Sequence, residues 1–168
     1  MEGAGEIVAL GEGVTDYEIG ERVFARARGC HAEYVCFEVE HMFRMPDNMC
    51  FADAAAIPVG WLTAWHALYT VGQMQPEQRI LIEAVAGSVG SAAVQIAKQQ
   101  KCWVAGTASR DDKLEIAKGF GVDVLINYKK QSASEIILKE TNNEGVNIGL
   151  MTIGEETAQA MLDSMGMD

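Results

Sequence analysis

Residues 79 to 100 read RILIEAVAGSVGSAAVQIAKQQ: an apolar run, a turn carrying Gly87 and Gly90, and a stretch of helical character rich in small residues. A strand that delivers the chain through such a turn into a helix leaves the first helical N–H groups without partners. Together with the helix dipole they favour a phosphate. In the dinucleotide pattern G-x-G-x-x-G, Val85 takes the first glycine position, and Gly87 and Gly90 hold the second and third. Gly87 then serves the close approach of backbone to a pyrophosphate, and Gly90 serves close packing of helix against strand. Valine at the first position is compatible with this turn provided its φ stays negative. An ordinary β-α turn of another α/β protein is the alternative.

The next strand selects the form of the nucleotide. NAD sites place an acid at its end to hold the ribose hydroxyls, but here Thr107, Ala108, Ser109 and Arg110 come first and Asp111 only afterwards. Arg110 and Lys113 lie one helical turn apart and can both face a 2′-phosphate, with Ser109 as a hydroxyl donor. This favours NADPH over NADH. A solvated helix face is the alternative, and Asp111 and Asp112 read as first-turn acids stabilised by the dipole.

Other reactive residues do not assemble. Cys30, His31, Cys36 and His41 contain no C-x-x-C pair to close a tetrahedral metal site, so no metal is expected. Asp53 reads as a helix cap and His66 as an isolated histidine, and Glu83, next to the turn, is assigned no catalytic role. No catalytic residue is identified. Hydride chemistry needs none as nucleophile, because the cofactor carries it.

The elements that must position the turn follow from periodicity. GEIVALG (5–11), RVFARARG (22–29) and CHAEYVCF (30–37) are expected strands, with a turn at Pro46 and Asp47. Pro58 separates a short alanine-rich helix from one around residues 60–70. Strands at 79–84, 102–107, 123–127 and 145–151 then alternate with helices at 88–100, 111–119 and 132–139, and a final helix follows. That rhythm predicts an α/β fold with a parallel sheet and right-handed crossovers. Four strands make an incomplete doubly wound sheet, so part of a longer chain is expected. The organisation expected is 1–55, a β-rich region; 56–78, a helical connection; and 79–168, a nucleotide-binding unit.

Composition sets the outer bounds. The chain has 168 residues, 49% of them apolar, and a net charge of −11. Such acidity disfavours nucleic acid and anionic membranes as partners. The start of the chain lacks the basic and apolar regions of a signal peptide, and a cytoplasmic location is expected.

Several stretches in order, GAGEIVALGEGVTDYEIGERVFA, HAEYV, ADAAAIPVGWLTAWHAL, ILIEAVAGSVGSAAVQIAK, GTASRDDKLEIAKGFGVDVLINYKK and GVNIGLMTIG, resemble the zinc-independent quinone oxidoreductases of the medium-chain dehydrogenase/reductase superfamily. NYKK and GVN are most similar to the p53-inducible branch. The resemblance implies a GroES-like β domain before an NADPH-binding Rossmann domain. It also implies hydride transfer to a quinone or activated enone, and a homodimer or homotetramer for the full-length parent. A non-catalytic NADPH-binding or interaction module is the alternative for the chain itself. By the same resemblance Thr63 lies near the nicotinamide, and Ala86, Gly87, Ser88, Val89 and Gly90 line the pyrophosphate turn. Ser109, Arg110 and Lys113 meet the 2′-phosphate, and Tyr128 meets the adenosine phosphate end. Two positions depart from the family pattern. Leu150–Glu155 replaces the usual LD-x-x-GG, and Lys101 replaces a glycine at a helix end where a left-handed residue would be strained.

Overall fold

The computed structural model describes residues 2–166. The chain divides into two compact units, Met1–Leu62 and Thr63–Asp168.

In the first unit, β1 (Gly3–Glu6), β2 (Arg22–Ala25) and β3 (Met42–Arg44) make an antiparallel sheet in the order β1-β2-β3. Val23 and Ala25 alternate inward on β2, and Val23 packs with Ile7 and Tyr17 into a small core. The Tyr17 hydroxyl donates to the Met42 carbonyl at 2.9 Å and so ties that core to β3. Residues 30–37, expected as a strand, are irregular. They form one wall of an apolar cleft of about 630 Å³ that faces β1, with Tyr34 76% exposed. The sequence suggests alternation there, but residues 31–36 are all exposed, and a strand also needs a neighbouring backbone to pair with. Helix α1 (Phe51–Ala55) is capped by the Cys50 sulfur, which accepts from the Asp53 N–H. Asp53 is therefore not the cap itself but lies in the first turn, where its charge suits the dipole.

Helix α2 (Pro58–Trp65) starts at proline, which suits a first helical turn. It continues as a π-helical stretch over His66–Val71. The helix expected around 60–70 is thus continuous but changes its winding midway. Among the described residues no helix is long and apolar enough to cross a membrane.

The second unit is built on a parallel sheet of β4 (Arg79–Ile82), β5 (Trp103–Ala108), β6 (Val124–Asn127) and β7 (Ile148–Leu150), in the order β6-β5-β4-β7. Helices α3 (Ser88–Gln99), α4 (Asp111–Lys118), α5 (Ala133–Glu140) and α6 (Glu155–Asp163) alternate with the strands. Leu81, Ala105 and Ile126 of three neighbouring strands pack with Ala133 and Ile137 of α5 and Met161 of α6. Ile80, Ile82 and Val104 point the other way and are fully buried. Burial on both faces explains why these strands read as continuous apolar runs.

Strand order reverses between β4 and β7, because the chain leaves β4 toward β5 and β6 and returns on β4's other side. In sheets of this kind such a reversal opens a crevice beyond the carboxyl ends of the strands. The turn of interest starts there. Lys101, just past α3, has φ +58, the left-handed conformation that the sequence pattern required of it.

Candidate functional site

Strand β4 ends at Ile82, and residues 83–87 carry the chain into α3. The left-handed residue of this turn is Ala84, at φ +45. Val85 is not strained in this way. Its N–H donates to the Thr107 carbonyl at 3.0 Å, and its side chain is fully buried. A Cβ placed on Gly106 would lie 2.6 Å from a Val85 methyl. The bulk that replaces the first glycine of the pattern is therefore accommodated by a glycine on the neighbouring strand.

The turn then closes with the Gly87 N–H donating to the Ala84 carbonyl at 2.7 Å, and the Ser91 N–H to the Gly87 carbonyl at 2.8 Å. Gly87 is the N-cap of α3 and supplies no side-chain acceptor to the first-turn N–H groups. Gly90 is buried against the strand. A Cβ there would lie 2.4 Å from the Ala84 carbonyl oxygen and 2.9 Å from Val85 Cα. Gly90 thus permits the close contact of α3 with the strand end, while Gly87 and Ser88 remain exposed. Ala86 and Val89 are half-buried beside them. An uncapped helix start flanked by exposed small residues is an anion-binding arrangement.

On the neighbouring strand, Thr107 and Ala108 are buried, and Ser109 is half-buried where the strand runs out. Arg110 is the N-cap of α4, and Lys113 lies in its first turn; both are exposed. Tyr128, half-buried, continues β6 by donating its N–H to the Ala108 carbonyl at 3.2 Å. The structure therefore gathers Ser109, Arg110, Lys113 and Tyr128 at the carboxyl ends of β5 and β6. Thr63 is exposed on α2, a different element.

Three relationships were missed in the sequence. Asp112 forks onto Arg110: Arg110 Nε donates to Asp112 Oδ1 at 2.9 Å and Nη2 to Oδ2 at 2.7 Å. Hydrogen bonding to the guanidinium holds the Asp112 carboxyl below its ordinary value and raises Arg110. Asp111 has a different task. Asn127 Nδ2 donates to it at 2.6 Å and Lys130 donates to its other oxygen, which ties α4 to the end of β6. Those two donors lower the Asp111 carboxyl. The i, i+2 spacing of Arg110 and Asp112 was the available signal for the fork. The helix-dipole explanation of the acid needs no such partner.

The third is Glu83. Only 2% exposed, its Oε2 accepts from the Thr152 and Ile153 N–H groups at 2.9 and 3.0 Å. The Thr152 hydroxyl donates back to the Glu83 carbonyl at 3.3 Å. This carboxylate fastens the end of β4 to the turn after β7, across the point where strand order reverses. Among the described residues, no three His, Cys, Asp or Glu side chains group as a metal-ligand set.

Residues 1–64 match the family model described as the alcohol dehydrogenase GroES-like domain, and residues 88–167 match that of zinc-binding dehydrogenases. Among curated relatives, a highly reducing polyketide synthase of Didymella fabae is 34% identical over 95% of this chain and 9% of its own length. Among solved structures, CurK enoyl reductase superposes with a TM-score of 0.93 at 32% identity, covering 98% of this chain and 50% of its own. The Escherichia coli quinone oxidoreductase complexed with NADPH gives 0.89 at 27% identity, covering 98% and 51%. The chain thus spans about half the length of these solved structures and a small part of the synthase.

Proposed function

This chain belongs to the medium-chain dehydrogenase/reductase superfamily, and we propose that it is the nucleotide-binding part of an NADPH-dependent oxidoreductase acting on a quinone or an activated enone. The observation that carries this reading is the α3 turn. Its helix start has no side-chain cap, and Gly90 packs so closely on the Ala84 carbonyl that a methyl group could not be admitted. Such a cradle fits a pyrophosphate, and its position at the reversal of strand order is where dinucleotides bind in doubly wound sheets.

In this reading the backbone of Ala86, Gly87, Ser88, Val89 and Gly90 holds the pyrophosphate. Ser109, Arg110 and Lys113 receive the 2′-phosphate, and Tyr128 packs at the adenosine phosphate end. Arginine suits the 2′-phosphate because its planar fork donates two parallel hydrogen bonds to paired oxygens. Thr63 serves the nicotinamide end. When bound, a nicotinamide dinucleotide supplies the hydride. The contribution of this chain is to hold its phosphates and fix the carboxyl ends of β4 and β7 against each other through Glu83. An electron-poor double bond or quinone is the acceptor class supported by the enoyl reductase and quinone oxidoreductase likenesses. The NYKK stretch resembles the p53-inducible branch of that family.

Fluorescence titration of the chain with NADPH and NADH tests the reading. Saturable binding that favours NADPH, weakened by Arg110→Ala for NADPH alone, supports it. Equal weak binding of both nucleotides overturns the assignment of Arg110 and Lys113. Binding without turnover of an added quinone or enone would favour a binding module for the chain itself.

A further inference from the structure

We propose that Asp112 is an internal occupant of the Arg110 guanidinium, a carboxylate that a 2′-phosphate must displace, and that it thereby weakens this site's preference for 2′-phosphorylated adenosine ligands. The proposal rests on the NADPH reading of Arg110 and adds a residue that opposes it. The carboxylate makes two parallel hydrogen bonds, to Nε and Nη2, and so presents to the guanidinium the same paired-oxygen geometry that a phosphate offers. A phosphate approaching that edge meets a group of its own charge already seated there.

The pair is also built to exchange. Its side chains are 64% and 63% exposed, and its partners are two residues apart, so releasing it disturbs no other element. Exposed ion pairs hold weakly. Asp111, its neighbour, provides the contrast: it is engaged by Asn127 and Lys130 and holds α4 to β6, whereas the Asp112 carboxylate bonds only within its own turn. Of the two adjacent acids one is structural and the other is free to leave. Lys113, exposed in the first turn of α4, remains as a second cation for the incoming phosphate.

Adenosine 2′,5′-bisphosphate and AMP are the probes, since they differ at the 2′-phosphate and need no nicotinamide contact. Calorimetric titration is made on the full chain, on Asp112→Asn and Asp112→Ala, and on Arg110→Ala. Both Asp112 variants are expected to bind the bisphosphate about threefold to fivefold more tightly, the scale of one exposed ion pair, with AMP unchanged. Equal tightening for both ligands would mean a general charge effect and would overturn the proposal. Weaker bisphosphate binding would also overturn it, because Asp112 would then be orienting the arginine. If Arg110→Ala selectively weakens the bisphosphate while the Asp112 variants change nothing, the NADPH reading stands and this inference falls. If Arg110→Ala leaves the bisphosphate unaffected, the NADPH reading itself falls.

Discussion

Val85 and Gly106 are complementary across the first two strands of the nucleotide-binding unit: the valine side chain occupies the space that a Cβ on the glycine would need. A dinucleotide turn can do without its first glycine here because the neighbouring strand yields the room and Ala84 takes the left-handed conformation. Gly106→Ala is therefore expected to overpack the site and destabilise the chain by about 1–3 kcal/mol. Adding Val85→Ala should recover most of that loss, and a double-mutant cycle in urea measures the coupling. Additive losses would show that the two positions do not share one space.

Glu83 is expected to behave as a fastener. Glu83→Ala leaves the Thr152 and Ile153 N–H groups without their acceptor, at a cost of about 2–4 kcal/mol in unfolding free energy. Glu83→Gln keeps an acceptor oxygen but loses the charge, and should cost less than alanine. Hydrogen exchange at Thr152 and Ile153 should rise in the alanine variant. Unchanged exchange at both would remove the clamp from the account.

Lys101 carries a cost that glycine would not. At φ +58 its side chain is strained, and the helix end it forms has the geometry that glycine favours. Lys101→Gly is expected to stabilise the chain by about 0.5–1 kcal/mol in thermal or chemical unfolding. A loss of stability would mean that the lysine side chain makes contacts worth more than the strain.

Acid should loosen the junction of α4 and β6. The Asp111 carboxyl lies below its ordinary value in the folded chain because Lys130 and Asn127 donate to it. A depressed folded value means the unfolded chain binds the proton more readily. The contribution is thus present at neutral pH and is lost as pH falls through the depressed value. Asp111→Asn should be less stable than the parent at pH 7, and the gap should narrow in that acid range. A gap that is constant with pH would contradict the assignment.

The alternation of strands and helices from residue 79 onward was legible because β4 and β5 are buried on both faces and each helix is bounded by glycine or polar residues. Residues 30–37 misled because side-chain alternation does not supply a pairing partner. The positions of Gly87 and Gly90 were readable in one dimension, since they act within their own turn. Val85 and Gly106 were not, because their fit exists only once β4 and β5 are side by side. Glu83 was unreadable for a similar reason: the N–H groups it accepts from lie 69 and 70 residues along the chain. Asp112 was hidden differently, behind a local explanation that was sufficient without its partner.

Whether the start of α3 holds the phosphates of a dinucleotide is decided by an amide-resolved NMR titration of the labelled chain with NADPH. The largest shifts are expected on Gly87, Ser88, Val89 and Gly90, with a second group at Ser109, Arg110 and Lys113, and NADH is expected to reproduce the first group without the second. Shifts that leave residues 87–90 unmoved while the chain binds NADPH would contradict phosphate binding there.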